Sequence, residues 1–336
     1  MQGDGSAFNT PVFSRMKQPV LSDSPCLKIP ASPFMKHLGF GTGVNVYLVE
    51  RSPKFGEYRS PWAVKKINKK CGGNISEYSK RLSEEAAILK QLNHKNIVGF
   101  RTFTRSADGT FCLAMEDGQR SLMSLIEDRT EKCLGPFPVH AINEVAIRVA
   151  DALAYLHHTN RLLHGDLKSA NVLIQGNFNV VKLCDFGVTV KLDDNLIAKP
   201  GQRYVGTESW SCKEVLEGGI ASNKADIFSY GLILYEMLTL GIPHLHVFPD
   251  ENDFENHEEF EVEWEAAELE YERSLGTRPP LVDYDFDLSY SPIIELFWVC
   301  THELPGCRPS ALQVVEGLHQ LESLSALPDP TGKLEF

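Results

Sequence analysis

The sequence predicts an α+β fold in two unequal lobes: a small β-rich N-terminal lobe with one main helix, followed by a larger helical C-terminal lobe. Three observations carry the prediction. Strand-like runs crowd between Phe34 and Met115, the apolar pattern turns helical beyond Met115, and no segment repeats. With 336 residues, 43% of them hydrophobic, the chain can bury a substantial core.

In chain order, residues 1–31 are rich in Ser, Pro, Asn and Gly without periodicity and read as a disordered regulatory tail. Three Ser/Thr-Pro pairs make Thr10, Ser24 and Ser32 candidate sites of proline-directed phosphorylation. Next come Leu38, Gly39, Phe40, Gly41, Thr42, Gly43, Val44, Asn45 and Val46. They form a turn between strand-like stretches, whose glycines let backbone N–H groups approach a phosphate without interference from Cβ. VNVYLVE, WAVKKI, IVGFRTFT and GTFCLAME supply strands. SEYSKRLSEEAAILKQL interrupts them as a helix, with Leu82, Ala86, Leu89 and Leu92 on one face.

Beyond Met115, helices are expected at AINEVAIRVADALAYLHH, KADIFSYGLILYEMLTL, PIIELFWVCTHE and SALQVVEGLHQLESL. The second is apolar nearly all round and belongs in the middle of the helical lobe. Between Asp250 and Glu272 stand twelve acidic residues and no Lys or Arg. Like charges repel, so this stretch reads as a solvated, partly disordered insertion. Phe254, Phe260 and Trp264 keep a second reading open, a docking strip for a basic partner.

Composition excludes several classes. No apolar run reaches eighteen residues, so no membrane span is expected, and the opening MQGDGSAFNTPVFSRMKQPV lacks a secretory pattern. The cytosol is the expected compartment, with the nucleus also open. Eight cysteines are scattered singly without a C-x-x-C pair, which points to reduced thiols. A formal charge of −12 argues against nucleic acid as a partner.

The chemistry gathers in a few short stretches. Lys65 sits in an apolar strand, and Glu85 in the following helix is placed to pair with it, with Glu84 as the competing carboxylate. LLHGDLKSANVLI then sets His164, Asp166, Lys168 and Asn171 among apolar residues, and Asp185-Phe186-Gly187 follows the strand VVKLC. Two carboxylates and a carboxamide at this spacing suit phosphoryl transfer. Asp166 is placed to orient a hydroxyl and take its proton, Asn171 and Asp185 to hold Mg²⁺, and Lys168 to neutralise the moving phosphoryl group.

Taken together, GFGTGVNV, AVKK, EAAIL, HGDLKSAN, DFG, GTESW, KADIFSYG and CRPS resemble the eukaryotic protein kinase domain in order and spacing. The resemblance implies a bilobal fold over residues 32–323: an N-lobe at 32–115, a hinge at 116–118 and a C-lobe at 119–323 with the acidic insertion at 250–272. A tail at 324–336 follows. It also implies ATP between the lobes, with adenine near Glu116 and Gly118, and structural roles for Glu214, Asp226 and Arg308. More narrowly the chain resembles mitogen-activated protein kinase kinase-like enzymes. That implies protein substrates with Ser/Thr acceptors, Tyr being left open as a further acceptor, and links to mitosis and the p38 pathway.

Departures from the family pattern matter as much. Val44 stands where a third glycine is usual, and Cys212-Lys213-Glu214 replaces a small-Pro-Glu motif, although Glu214 can still meet Arg308. Gly165 replaces the arginine that in many kinases grips an activation-segment phosphate. None of the transfer chemistry needs that arginine, so altered regulation is expected rather than lost catalysis. Thr189 and Tyr204 remain candidate phosphorylation sites, while Thr207 is expected to reach Asp166 and Lys168. The terminal TGKLEF suits a PDZ-domain groove by strand addition. The rival readings are a scaffold that transfers nothing and a small-molecule kinase of the same fold.

Overall fold

Strands form where branched and aromatic residues alternate with polar ones, and the computed structural model places them in a sheet of order β1-β2-β3-β5-β4. It describes residues 35–41, 44–50, 60–68, 75–106, 109–249, 257–281 and 285–325. Thr10, Ser24 and Ser32 with the tail they occupy, Thr42, Gly43, Phe254 and the residues from 326 onward lie outside these. β1 (Met35–Gly41) and β2 (Val44–Val49) pair antiparallel, with a register shift between His37 and Gly39. β3 (Trp62–Ile67) is central: Lys65 faces Val46 on one side and Leu113 of β5 (Phe111–Glu116) on the other.

The two-residue period of β3 divides its work. Val64 packs outward with Val49, Cys112 and Ala114, while Ala63 and Ile67 face the main core. Lys65 shares that inner face. Against it lies α1 (Ile75–Leu89), whose buried positions Leu82, Glu85, Ala86 and Leu89 follow helical spacing. Glu85, not Glu84, therefore falls on the buried stripe. β4 (Phe100–Arg105) begins three residues later than the apolar run IVGF suggests. Ile97 and Val98 are drawn off to Leu183 of the other lobe, where Val98 N donates to Leu183 O at 2.9 Å.

In the second lobe β6 (Arg120–Ser121) leads into α2 (Leu122–Glu131), N-capped by Ser121, whose hydroxyl accepts from Ser124 N. α3 (Val139–Ala154) continues into a wider π-type turn at Tyr155–Thr159. The sequence reads as one unbroken helix here. The wider turn aims His157 at Asp226 instead, and such turns recur at functional sites. Short strands β7 (Leu162–Leu163), β8 (Val172–Gln175), β9 (Val180–Leu183) and β10 (Val190–Lys191) build two small sheets, β6-β8-β9 and β10-β7. After α4 (Lys213–Leu216), α5 (Asn223–Thr239) runs buried through the lobe, as its all-round apolarity predicts. α7 (Ser291–Cys300) and α8 (Ala311–Ser325) pack on α5 and α3 respectively.

One expectation is corrected. Of the acidic insertion, residues 257–272 are helical, within α6 (His257–Ser274), rather than disordered, while the acids from Glu261 to Glu272 are solvent-exposed as expected. The charges line its outer faces, and a row of aromatic rings anchors it. Phe248 lies 4.7 Å from the Trp264 ring and 5.5 Å from Tyr271, and Ala267 is buried. Repulsion among exposed acids is weak in water, and aromatic burial outweighs it. Among the described residues, no helix is long and apolar enough to cross a membrane.

Candidate active site

Five stretches converge between the lobes. β3 delivers Lys65, 7% exposed, and α1 delivers Glu85, 3% exposed. Lys65 Nζ donates to Glu85 Oε2 at 2.9 Å, to Glu85 Oε1 at 3.1 Å, and to Asp185 Oδ1 at 2.8 Å. Burial alone lowers the pKa of Lys65, but Asp185 and Glu85 outweigh it, and the ammonium is held charged above the usual lysine range. Burial likewise opposes charge on Asp185, yet Lys65 prevails and keeps its carboxyl below the ordinary value. Glu85 is pushed up to about 7 by burial, Asp185 adding to the shift and Lys65 opposing it.

The catalytic-loop residues form a second cluster. Asn171 Nδ2 donates to Asp166 O at 2.8 Å and to Asp166 Oδ2 at 3.1 Å. Lys168 Nζ lies 3.0 Å from Asp166 Oδ2 and donates to Thr207 Oγ1 at 2.6 Å, while the Thr207 hydroxyl donates to Asp166 Oδ1 at 2.6 Å. Thr207 thus sits where the sequence places it. The Asn171 amide nitrogen is committed to Asp166, so its Oδ1 is left without a partner among the described residues, as is Oδ2 of Asp185. Two such oxygens on neighbouring loops fit a hard divalent cation such as Mg²⁺.

Asp226, 1% exposed at the start of α5, fixes this loop from below. It accepts from His164 N at 2.8 Å, from Gly165 N at 3.0 Å, and pairs with His157 Nε2 at 2.8 Å. Gly165 stands at φ +83°, and a Cβ there would lie 3.0 Å from Val188 O. Glycine is therefore the residue that fits this left-handed turn without strain. Gly165→Ala is expected to destabilise the fold by about 1–2 kcal/mol, measured by denaturant unfolding.

Hinge and glycine-loop residues fall in place unevenly. The Glu116 carboxylate accepts from Lys182 Nζ at 2.9 Å and from Gly99 N at 3.1 Å, and its backbone N donates to Gly99 O at 2.8 Å, so its side chain is committed to the protein. A Cβ on Gly118 would meet Leu173 Cδ1 at 2.3 Å, so glycine here permits the close approach of two chain segments. Val44 and Val46 pack toward the core. Asn45, on the opposite face of β2, donates to the Tyr47 hydroxyl at 3.0 Å. Leu38, Gly39, Phe40 and Gly41 lie in β1.

Glu214 and Arg308 meet as expected. Arg308, 2% exposed, uses all five N–H groups: two to Glu214 (Nη1 to Oε1 at 2.6 Å, Nη2 to Oε2 at 3.1 Å) and one each to the carbonyls of His302, Lys224 and Glu303. Burial works against charge on Glu214, but the bonds from Arg308 hold its carboxyl below the ordinary range.

Sequence reading missed Glu236. It lies in the apolar interior of α5, where it accepts from Ser169 N at 3.1 Å, from Trp210 Nε1 at 2.8 Å, and from the Ser169 hydroxyl. It ties the catalytic loop to the GTESW stretch. A glutamate inside an otherwise apolar helix was the available signal. Burial pushes its carboxyl up to about 7, against the pull of Ser169, Trp210 and Lys168. Between pH 4.5 and 7 the unfolded chain loses this proton while the folded chain keeps it, so stability falls as pH rises. Glu236→Gln should flatten this slope, removing on the order of 3 kcal/mol of pH-dependent change in unfolding free energy across that window.

The ion pair, the catalytic loop, the DFG stretch and the Glu214–Arg308 clamp together define an enzyme class. The sequence matches the family described as protein kinase domain over residues 33–318, and the chain belongs to that family. It is 50% identical over 319 residues to the human lymphokine-activated killer T-cell-originated protein kinase, covering 93% of this chain and 98% of that protein. It is 30% identical over 248 residues to serine/threonine-protein kinase STY17 of Arabidopsis thaliana (73% of this chain, 38% of that one). A similar match links it to the dual specificity protein kinase shkA of Dictyostelium discoideum, at 30% over 253 residues (75% and 44%). The chain is thus a protein kinase with serine/threonine-kinase relatives, which implies ATP and protein as its substrates.

Proposed function

We propose that the chain transfers the γ-phosphoryl group of ATP, with Mg²⁺, to serine or threonine hydroxyls of protein substrates. One observation carries this: Lys65 is bonded at once to Glu85 and Asp185, while Asp166, Lys168, Asn171 and Thr207 are already bonded to one another beside it. In this reading Lys65 holds the phosphates, and the turn from Leu38 to Val46 covers them with backbone donors. The backbone from Glu116 to Gly118 faces adenine. Asn171 and Asp185 hold Mg²⁺, which when bound neutralises phosphate charge.

Asp166 accepts the proton of the substrate hydroxyl as that oxygen forms its bond to the γ-phosphorus. The bond from that phosphorus to the bridging oxygen breaks, and ADP leaves with the electron pair. Lys168, held by Thr207, offers its charge to the moving phosphoryl oxygens. The Thr207–Lys168 contact favours Ser/Thr acceptors over Tyr. A role near mitosis and the p38 pathway is carried only by the likeness to mitogen-activated protein kinase kinase-like enzymes.

Regulation departs from loop phosphorylation in this reading. Between Val190 and Gly206 the chain has no Ser or Thr, and Gly165 offers no cationic receiver. The Thr189 Oγ is buried, and the Tyr204 hydroxyl turns inward to 3.5 Å from Ser211 Oγ. Backbone bonds hold the segment instead: Leu192 N to Arg161 O (2.8 Å), Lys199 N to Lys191 O (2.9 Å), Ala198 N to Ala221 O (2.8 Å) and Asn223 N to Leu196 O (3.0 Å). The test is transfer of labelled phosphate from Mg-ATP to a panel of basic proteins. The intact chain should label Ser and Thr, and Lys65→Met should lower the rate by at least about 10²-fold. No labelling by the intact chain above Lys65→Met contradicts the reading.

A further inference from the structure

A cavity of about 430 Å³ opens between α1 and the activation segment, with Phe186 in its wall. Its polar wall is cationic in a chain whose formal charge is −12. Arg161, Lys191 and Lys199 line it from three adjacent backbone stretches, joined by the bonds from Leu192 N to Arg161 O and from Lys199 N to Lys191 O. Lys191 and Lys199 have no carboxylate partner among the described residues, and Arg161 has only the fully exposed Asp194 at 4.0 Å. The acid on the wall, Glu84, lies 3.9 Å from Lys80. Arg161 holds a left-handed backbone, φ 53°, an arrangement that clusters at ligand clamps. At the same wall the buried Thr189 Oγ has no hydrogen-bond partner.

Two lysines without a carboxylate partner, an arginine with only a distant exposed one, and a hydroxyl without a hydrogen-bond partner around one cavity suit a phosphate monoester, which carries about two negative charges and three acceptor oxygens. The activation segment offers no Ser or Thr between Val190 and Gly206 to bear it. We propose that this cavity binds the chain's own N-terminal segment when Thr10 is phosphorylated. Residues 1–34 carry Arg15, Lys17 and Lys28 against Asp4 and Asp23, a formal charge of +1, so the unmodified segment has no attraction to a cationic wall. Phosphate reverses that sign. Phe8, Val12 and Phe13 flank Thr10, and the wall of the cavity supplied by α1 and its C-terminal end offers Ala87, Ile88 and Leu92 as apolar contacts beside Glu84 and Gln91. The 25 residues from Thr10 to Met35 span up to about 85 Å when extended, enough to reach, and the tether raises the local concentration of the segment.

The site is independent of catalysis, so its test uses the full-length Asp166→Asn chain, phosphatase-treated and then cleared of phosphatase. Fluorescence anisotropy follows a labelled peptide of residues 5–16 phosphorylated at Thr10. Saturable binding is expected, lost with the unphosphorylated peptide, and weakened about tenfold or more by Lys191→Gln/Lys199→Gln. Both lysines are solvent-exposed, and an unchanged melting temperature would show that the variant folds. Inorganic phosphate should compete only weakly, because it lacks the apolar flanks. Equal affinity for the unphosphorylated peptide, or undiminished binding to the variant, overturns the proposal. So does equal binding of an unrelated phosphothreonine-proline peptide, which would leave a general phosphate site rather than a receptor for this segment.

Discussion

Replacing Asp166 by Asn is expected to lower kcat for protein phosphorylation by about 10²–10⁴-fold while leaving ATP affinity close to that of the parent chain. The two carboxylate oxygens of Asp166 have separate tasks. One accepts from Thr207 and the other from Asn171, with Lys168 bridging the pair. Asn keeps one acceptor oxygen and nearly the same shape, so the loop keeps its course. What disappears is the group that takes the hydroxyl proton. Nucleotide contacts should survive, because Lys65, Glu85 and Asp185 form a separate cluster. Steady-state rates, together with binding of a fluorescent ATP analogue, separate the two effects. A parallel loss of nucleotide binding would mean that Asp166 acts through structure instead.

The largest stability effect is expected from Arg308→Ala. Removing the guanidinium leaves Glu214 and three carbonyls without their donor, and it empties the space beside the Phe228 ring, 4.9 Å away. Stranding one partner of a buried pair costs about 3–5 kcal/mol. In a chain of this size that corresponds to a fall in melting temperature of about 4–7 °C, readable by calorimetry. Exchanging Arg308 for Lys should recover little, since one ammonium cannot serve five directions. A loss below about 1 kcal/mol would show that the clamp behaves like a surface pair.

Local chemistry was legible in the sequence. Lys65, Asp166, Asn171 and Asp185 sit on short stretches whose spacing fixes their order, and the period of α1 placed Leu82, Ala86 and Leu89 on the face that also carries Glu85. Less was legible where distant segments decide the outcome. The acids of α6 suggested partly disordered chain because their pattern does not reveal that Phe248, outside the helix, supplies the ring on which Trp264 packs. IVGF read as a strand, but Leu183, more than eighty residues away, captures Ile97 and Val98. Gly165 looked like a missing arginine. Its left-handed backbone shows that the position also suits glycine for a local reason. The cationic cavity was invisible because Arg161, Lys191 and Lys199 are dispersed in sequence and meet only through strand pairing.

The central claim is that the site is catalytically complete without a phosphate on the activation segment. Its most direct test is the initial rate of phosphate transfer from Mg-ATP by the full-length chain. The protein is treated with phosphatase and checked by mass spectrometry to carry no phosphate on Thr189, Tyr204 or Thr207. Substantial transfer, abolished in Asp166→Asn, is the predicted result. A rate no higher than that of Asp166→Asn, restored only when one of those three residues becomes phosphorylated, would contradict it.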